Sequence, residues 1–196
     1  MMIVAAVSCR TEVIPMLPYK TGTVRVTSPF GMRILSGVPD NHKGIDLVGT
    51  DKTVVAVLPG KVLFSRQILD KNNRTSEWGN YVCIQSDDGT LSYYCHLASR
   101  AVRAGDRVKV GDIIGREGAT GKSTGSHLHF EVRRPDGVSV DPTMALGIPN
   151  RIGSHDVMTN ADKVCKKAGL ELQTKAYLDR YKYADDLWRK LWEAMQ

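Results

Sequence analysis

Four of the five histidines in this 196-residue chain fall in three short islands. They are Asn41-His42-Lys43-Gly44-Ile45-Asp46, Tyr93-Tyr94-Cys95-His96-Leu97 and Gly125-Ser126-His127-Leu128-His129-Phe130-Glu131-Val132. Imidazole is the commonest metal ligand and the usual base at neutral pH, so clustered histidines point to metal or acid–base chemistry. The third island alternates in polarity and predicts a β-strand. Its period of two sets His127 and His129 on one face and Leu128, Phe130 and Val132 on the other. His42 and Asp46 offer a nitrogen and an oxygen, both of which suit zinc at roughly 2.0–2.2 Å. Gly44 between them lets the backbone turn so that both side chains reach one ion. Catalytic zinc takes three protein ligands and leaves one position for water. His42, Asp46 and one of His127 or His129 complete such a set. Two imidazoles are then left to act as general base and oxyanion stabiliser. Taken singly, each island is weak, since strand histidines also occur as ordinary core or surface residues. The set together carries the argument.

The elements that must position these residues are short. Residues 1–23 read as a lead-in broken by Pro15, Pro18 and Gly22. From Val24 onward, β-type runs alternate with turn clusters, at 24–27, 44–48, 53–57, 60–67, 79–86, 90–96, 106–110, 112–116 and 127–133. That spacing predicts a mainly β fold, an antiparallel sheet or sandwich. Leu69 to Trp78 is polar and is expected to be a mobile loop. Gly111-Asp112 divides two short apolar runs, as in a tight hairpin. After Pro149 the pattern changes to a helical period: first Val157, Ala161, Val164, Cys165 and Ala168, then Tyr177, Tyr181, Ala184, Trp188, Leu191, Trp192 and Met195. A β domain over 24–150 and a C-terminal helical hairpin within 151–196 follow. The aromatic stripe of the tail suits packing on the β domain or self-association.

A net charge of +6 favours acidic partners such as an anionic cell wall, a membrane surface or nucleic acid. No basic stripe interleaved with aromatics singles out nucleic acid. No run is long enough to cross a bilayer. The apolar start, Met1 to Cys9, is short and lacks the charged opening of a standard signal peptide. Cys9, Cys83, Cys95 and Cys165 show no CxxC spacing, which argues against a cysteine zinc site or a disulfide framework. Around Asp87-Asp88-Gly89-Thr90, a two-residue loop pairs Cys83 with Tyr94, and a three-residue loop pairs it with Cys95; free thiols are favoured. Gly121-Lys122-Ser123 imitates the end of a P-loop, but Arg116 stands where the first glycine is needed, and the segment feeds a strand. A flexible glycine-rich loop beside the site is the better reading. His155 reads as a surface residue at a helix start.

Together, His42-x-x-x-Asp46, Tyr94-Cys95-His96-Leu97 and His127-Leu128-His129-Phe130-Glu131 resemble the signatures of the lysostaphin-type zinc endopeptidases, peptidase family M23. Ser28-Pro29-Phe30-Gly31-Met32-Arg33, Gly79-Asn80-Tyr81-Val82, Val108-Lys109-Val110-Gly111-Asp112 and Gly118-Ala119-Thr120-Gly121 leading to Ser123-Thr124-Gly125 support the match. The resemblance covers about 24–146 in the family's order, and the tail lies outside it. It implies the lysostaphin-type β fold, a Zn2+ cofactor and cleavage of peptide bonds in bacterial peptidoglycan. It assigns His42, Asp46 and His129 as zinc ligands and His96 and His127 as the catalytic pair. Glu131 is left out, as either a partner of a ligand or a surface carboxylate. A phage-type lysin, released at lysis or carried on a virion, is the expected setting. A non-catalytic wall-binding or tail structural module that kept the fold is the alternative.

Overall fold

The computed structural model describes residues 16–35, 37–72, 75–157, 168 and 184–195. Residues Pro15–Val157 form one compact unit, and Met1–Ile14 with Met158–Gln196 form another. In the first unit the strands are β1 (Thr23–Ser28), β2 (Gly31–Leu35), β3 (Val38–His42), β4 (Ile45–Gly49), β5 (Thr53–Val55), β6 (Gly60–Leu69) and β7 (Thr75–Gln85). They continue with β8 (Leu91–Cys95), β9 (Ser99–Arg100), β10 (Arg107–Val108), β11 (Ile113–Arg116), β12 (Leu128–Arg133), β13 (Ser139–Val140) and β14 (Gly153–Asp156). One short helix, α1 (Thr143–Leu146), closes on Gly147 in the left-handed region.

A nine-stranded sheet runs β10-β6-β7-β8-β12-β4-β1-β14, with β13 beside β12. A three-stranded sheet, β5-β11-β9, and the β2-β3 hairpin complete the fold. The described pairings are antiparallel, and the fold is mainly β, as the sequence predicts. Alternation explains the layering. Val24, Val26, Ile45, Leu47, Val82, Ile84, Tyr94, Leu128 and Phe130 point from the large sheet into one core, which Val54 and Ile114 of the small sheet share. The Tyr94 hydroxyl accepts from the Val57 backbone N–H at 2.7 Å and stitches the two sheets together. The opposite face of the large sheet carries a second, smaller cluster of Tyr81, Cys83, Tyr93 and Cys95.

Several expectations are corrected. The Gly111 turn exists, but its flanks do not pair with each other: β10 joins β6, while β11 joins β5 and β9. Leu69 to Trp78 is largely strand, with Leu69 opposite Thr75, so polar sequence there marks an exposed hairpin. Cys83 faces Tyr93, one residue short of the first alternative and two short of the second, because Ser86 and Thr90 close the turn. Both thiols are buried and free. His155 lies on β14 opposite Val24, and Val157 packs in the β core, so the helical reading starts too early. The lead-in also contributes: Leu17 and Tyr19 are core residues. Of the helical hairpin, the second half includes α2 (Ala184–Ala194). The first half lies outside the described residues except for Ala168, as do Cys9 and Cys165. No described helix is long and apolar enough to cross a membrane.

Candidate active site

Strand register brings the first two donors together. In the β4–β12 ladder, Asp46 is the direct partner of His129. The same ladder buries Ile45, Leu47, Leu128 and Phe130 on the far side, each fully. A one-residue slip of either strand would turn its donor into the core, so the hydrophobic pattern fixes the polar face. His42 arrives at the end of β3, opposite Gly31, four residues before Asp46. The Lys43-Gly44 turn between them lies against β12. A Cβ on Gly44 would stand 2.5 Å from the Phe130 carbonyl oxygen and 2.8 Å from Glu131 Cγ. Close approach, and not a left-handed backbone, is therefore what demands glycine here.

The three donors converge. His129 Nδ1 lies 2.8 Å from Asp46 Oδ1 and 3.0 Å from His42 Nε2. His42 Nε2 lies 3.2 Å from Asp46 Oδ1. The opposite ring nitrogens set the tautomers. His42 Nδ1–H donates to the Pro29 carbonyl at 2.7 Å, and His129 Nε2–H donates to Glu131 Oε1 at 2.9 Å. With those protons placed, His42 Nε2, His129 Nδ1 and Asp46 Oδ1 can all turn lone pairs to one point, which suits a cation there: a metal ion or, without one, a proton shared by His129 and Asp46. Tetrahedral zinc with bonds of about 2.0–2.2 Å spaces its ligands by about 3.4 Å, so this trio fits. It is the group among the described residues that could hold a metal ion.

The electrostatics agree. Burial alone would raise the Asp46 carboxyl, but hydrogen bonds and charge from His129 and His42 hold it well below the carboxylate range. Burial would lower His129, but its contacts with Asp46 and Glu131 win and raise it to about 9. Glu131, fully buried, is thus a partner that orients a donor. Burial pushes its carboxyl up, and the hydrogen bond from His129, followed by that from Arg133, draws it down. Arg133 Nε donates to Glu131 Oε2 at 2.7 Å. Its i+2 position opposite the core face was visible in the sequence; its burial was not.

His96 and His127 flank the trio. Their ring centroids are 4.7 Å apart, and His96 stands 5.9 Å from the His129 ring. His127 Nε2 is 3.7 Å from Asp46 Oδ1. All five histidine and aspartate residues singled out from the sequence therefore meet, while His155 sits apart on β14. His96 follows β8 with φ of 63°, a conformation uncommon outside glycine and often seen at functional sites. Its Nδ1–H donates to the Thr120 carbonyl at 2.8 Å, and His127 Nδ1–H donates to the Gly125 carbonyl at 2.9 Å. One loop thus orients both rings and leaves both Nε2 atoms as acceptors. Burial, then the neighbouring His127 and His129, lowers His96 to about 4.

That loop is itself pinned. Gly121 packs where a Cβ would come within 2.3 Å of the Glu77 carbonyl oxygen. Thr120 Oγ1 donates to the Leu97 carbonyl at 2.9 Å and accepts from the Asn80 N–H at 3.0 Å. At its base, the buried Glu117 accepts from Tyr19 Oη (2.7 Å), Gly49 N–H (2.9 Å), Lys52 Nζ (2.6 Å) and Ser126 Oγ (2.7 Å). Sequence reasoning did not single out Glu117, because its four partners lie far apart in the chain and form no motif.

A profile described as peptidase family M23 matches residues 40–142, a span that holds all five site residues. The chain belongs to peptidase family M23. Among its M23 relatives is the DD-carboxypeptidase/endopeptidase Mpg of Neisseria meningitidis, 35% identical over 143 residues, covering 71% of this chain and 30% of Mpg. The murein hydrolase activator NlpD of Salmonella typhimurium is 36% identical over 106 residues, covering 54% of this chain and 26% of NlpD. The chain therefore spans under a third of these curated relatives. Among solved M23 structures, the catalytic domain of prophage-encoded EnpA from Enterococcus faecalis superposes with a TM-score of 0.54 at 30% identity, covering 66% of this chain and 95% of that domain.

Proposed function

We propose that this M23 protein is a zinc-dependent endopeptidase that hydrolyses peptide bonds in bacterial peptidoglycan. The observation that carries the reading is the convergence of His42 Nε2, Asp46 Oδ1 and His129 Nδ1 within 3.2 Å, beside two imidazoles of fixed tautomer. Similarity to Mpg supports the substrate class. A murein hydrolase activator is also similar, and a fold alone does not decide activity. The full set of donors and flanking bases counts for catalysis.

His42, Asp46 and His129 would hold the ion. Zinc bound there supplies Lewis acidity, polarising a carbonyl and making water acidic near pH 7. His96 and His127 present Nε2 lone pairs to the same space. Either ring can take the proton of an attacking water and pass it to the departing amine. Once protonated, the ring stabilises negative charge on the carbonyl oxygen. Glu131 keeps the His129 Nδ1 lone pair aimed at the site by holding the proton on Nε2. The setting we infer is the bacterial wall, reached through lysis-linked release or as part of a virion, and the likeness to prophage-encoded EnpA supports it.

The test is turbidity loss and muropeptide release from purified walls, with a chelator and then with zinc restored. Release that stops with chelator and returns with zinc is the expected result. Binding without chelator-sensitive release from any wall type would favour the non-catalytic module.

A further inference from the structure

A recess of about 280 Å³ opens between the segments that carry His42 and Glu131. Phe30 and Val138 form apolar walls, Asn41 and Ser139 add neutral polar groups, and Lys43 and Arg133 supply two cations. No lining residue is acidic. Lys43 is exposed and forms no ion pair among the described residues. The recess is adjacent to the donors through the chain itself: Asn41 and Lys43 flank His42, and Arg133 lies two residues beyond Glu131.

Arg133 is not a loose surface arginine. Its side chain is 19% exposed, and its guanidinium stacks 4.7 Å from the Tyr93 ring centroid and 5.2 Å from that of Trp78. Nε and Nη2 both engage Glu131 Oε2. The fork is thus held rigid while Nη1 retains its donors, an arrangement suited to a second carboxylate. Glu131 cannot repel that carboxylate strongly, because one of its oxygens accepts from His129 and the other is paired with the Arg133 guanidinium itself. Lys43 is equally well anchored at its backbone, since the adjacent Gly44 packs on Phe130 and Glu131.

We propose that the recess lined by Lys43 and Arg133 binds a carboxylate of the peptide substrate and seats the neighbouring peptide bond at the metal donors. The inference rests on the hydrolase reading and adds the substrate class: a peptide bearing a free carboxylate beside the cleaved bond.

The test uses zinc-loaded full chain and two wall preparations, one untreated and one with its peptide carboxyls amidated by carbodiimide and ammonia. Binding is measured by co-sedimentation on ice, and muropeptide release is followed after warming. One charge-assisted contact predicts roughly tenfold tighter binding to untreated walls. Lys43→Gln should reduce that preference to about twofold or less, whereas Lys109→Gln, an equal charge change at a remote exposed site, should keep it. A parent protein indifferent to amidation would overturn the proposal. So would a Lys43→Gln variant with the full preference, or a Lys109→Gln variant that loses it equally. Failure of the hydrolase reading shows separately, as absent or chelator-insensitive release from both wall preparations while the binding preference stands.

Discussion

The donor side of the site is carried by paired strands, whereas the imidazole side depends on a loop. Asp46 and His129 face each other in the β4–β12 ladder, and the core beneath them sets their register. His96 and His127 take their orientation from the Thr120 and Gly125 carbonyls, which belong to a segment with no regular pairing beyond the Gly118–His127 bridge. A ladder fixes distances as a by-product of folding. A loop has to be tied down by individual contacts, and here those are Thr120 on Asn80 and Leu97, Gly121 on Glu77, and Glu117 on Ser126. The donor side should therefore fail through metal loss, and the loop side through rate alone.

The largest effect tests the donor side. His129→Ala should lose both bound zinc and wall hydrolysis, read by metal analysis after dialysis and by muropeptide release. Retained stoichiometric zinc would break the comparison. On the loop side, His127→Ala should keep zinc yet lose about 10²–10⁴ in kcat, the usual share of a general acid–base group. Full activity with normal zinc would reject its role. An intermediate effect is expected from Glu131→Gln, which weakens the hold on His129 Nε2; zinc affinity should fall about 10–100-fold in a competition titration. Ser126→Ala should be mildest, with a few-fold loss of kcat and unchanged zinc, because the remaining loop contacts persist. Loss of zinc in that variant would show that the two sides are not independent.

Acidity sharpens the same contrast. In chelator-treated protein, His129 is raised to about 9, so its contribution to stability is complete below the unfolded value of about 6.5 and is lost as pH rises through 9. Asp46, held low, contributes above its unfolded value of about 3.9 and loses that contribution as pH falls. Thermal melts of the chelated protein should therefore decline between about pH 6.5 and pH 9, and zinc should flatten that decline because the metal replaces the proton on His129 Nδ1. An equal decline with zinc bound would contradict the donor assignment.

Much of this was legible from spacing. The period of two around His127 and His129 fixed their shared face, and the apolar alternation of Leu128, Phe130 and Val132 located the core. Strands as brief as β9 and β13 were missed, and β2 and β3 were missed because Met32, Ile34, Leu35 and Val38 are exposed, so no buried face imprints a pattern. The β14 strand was hidden because four residues with alternating exposure resemble a loop before a helix.

The amino-acid sequence by itself determined which side chains could do chemistry, that they lie on strands or strand ends, and which family they resemble, because residue type and local period are properties of neighbouring positions. Only the tertiary structure decided that His42, Asp46 and His129 share one point, that Glu131 is buried against His129, and that Glu117 gathers Tyr19, Gly49, Lys52 and Ser126. Those facts depend on register and burial between segments up to 98 residues apart, and no local pattern in the chain encodes such a distance.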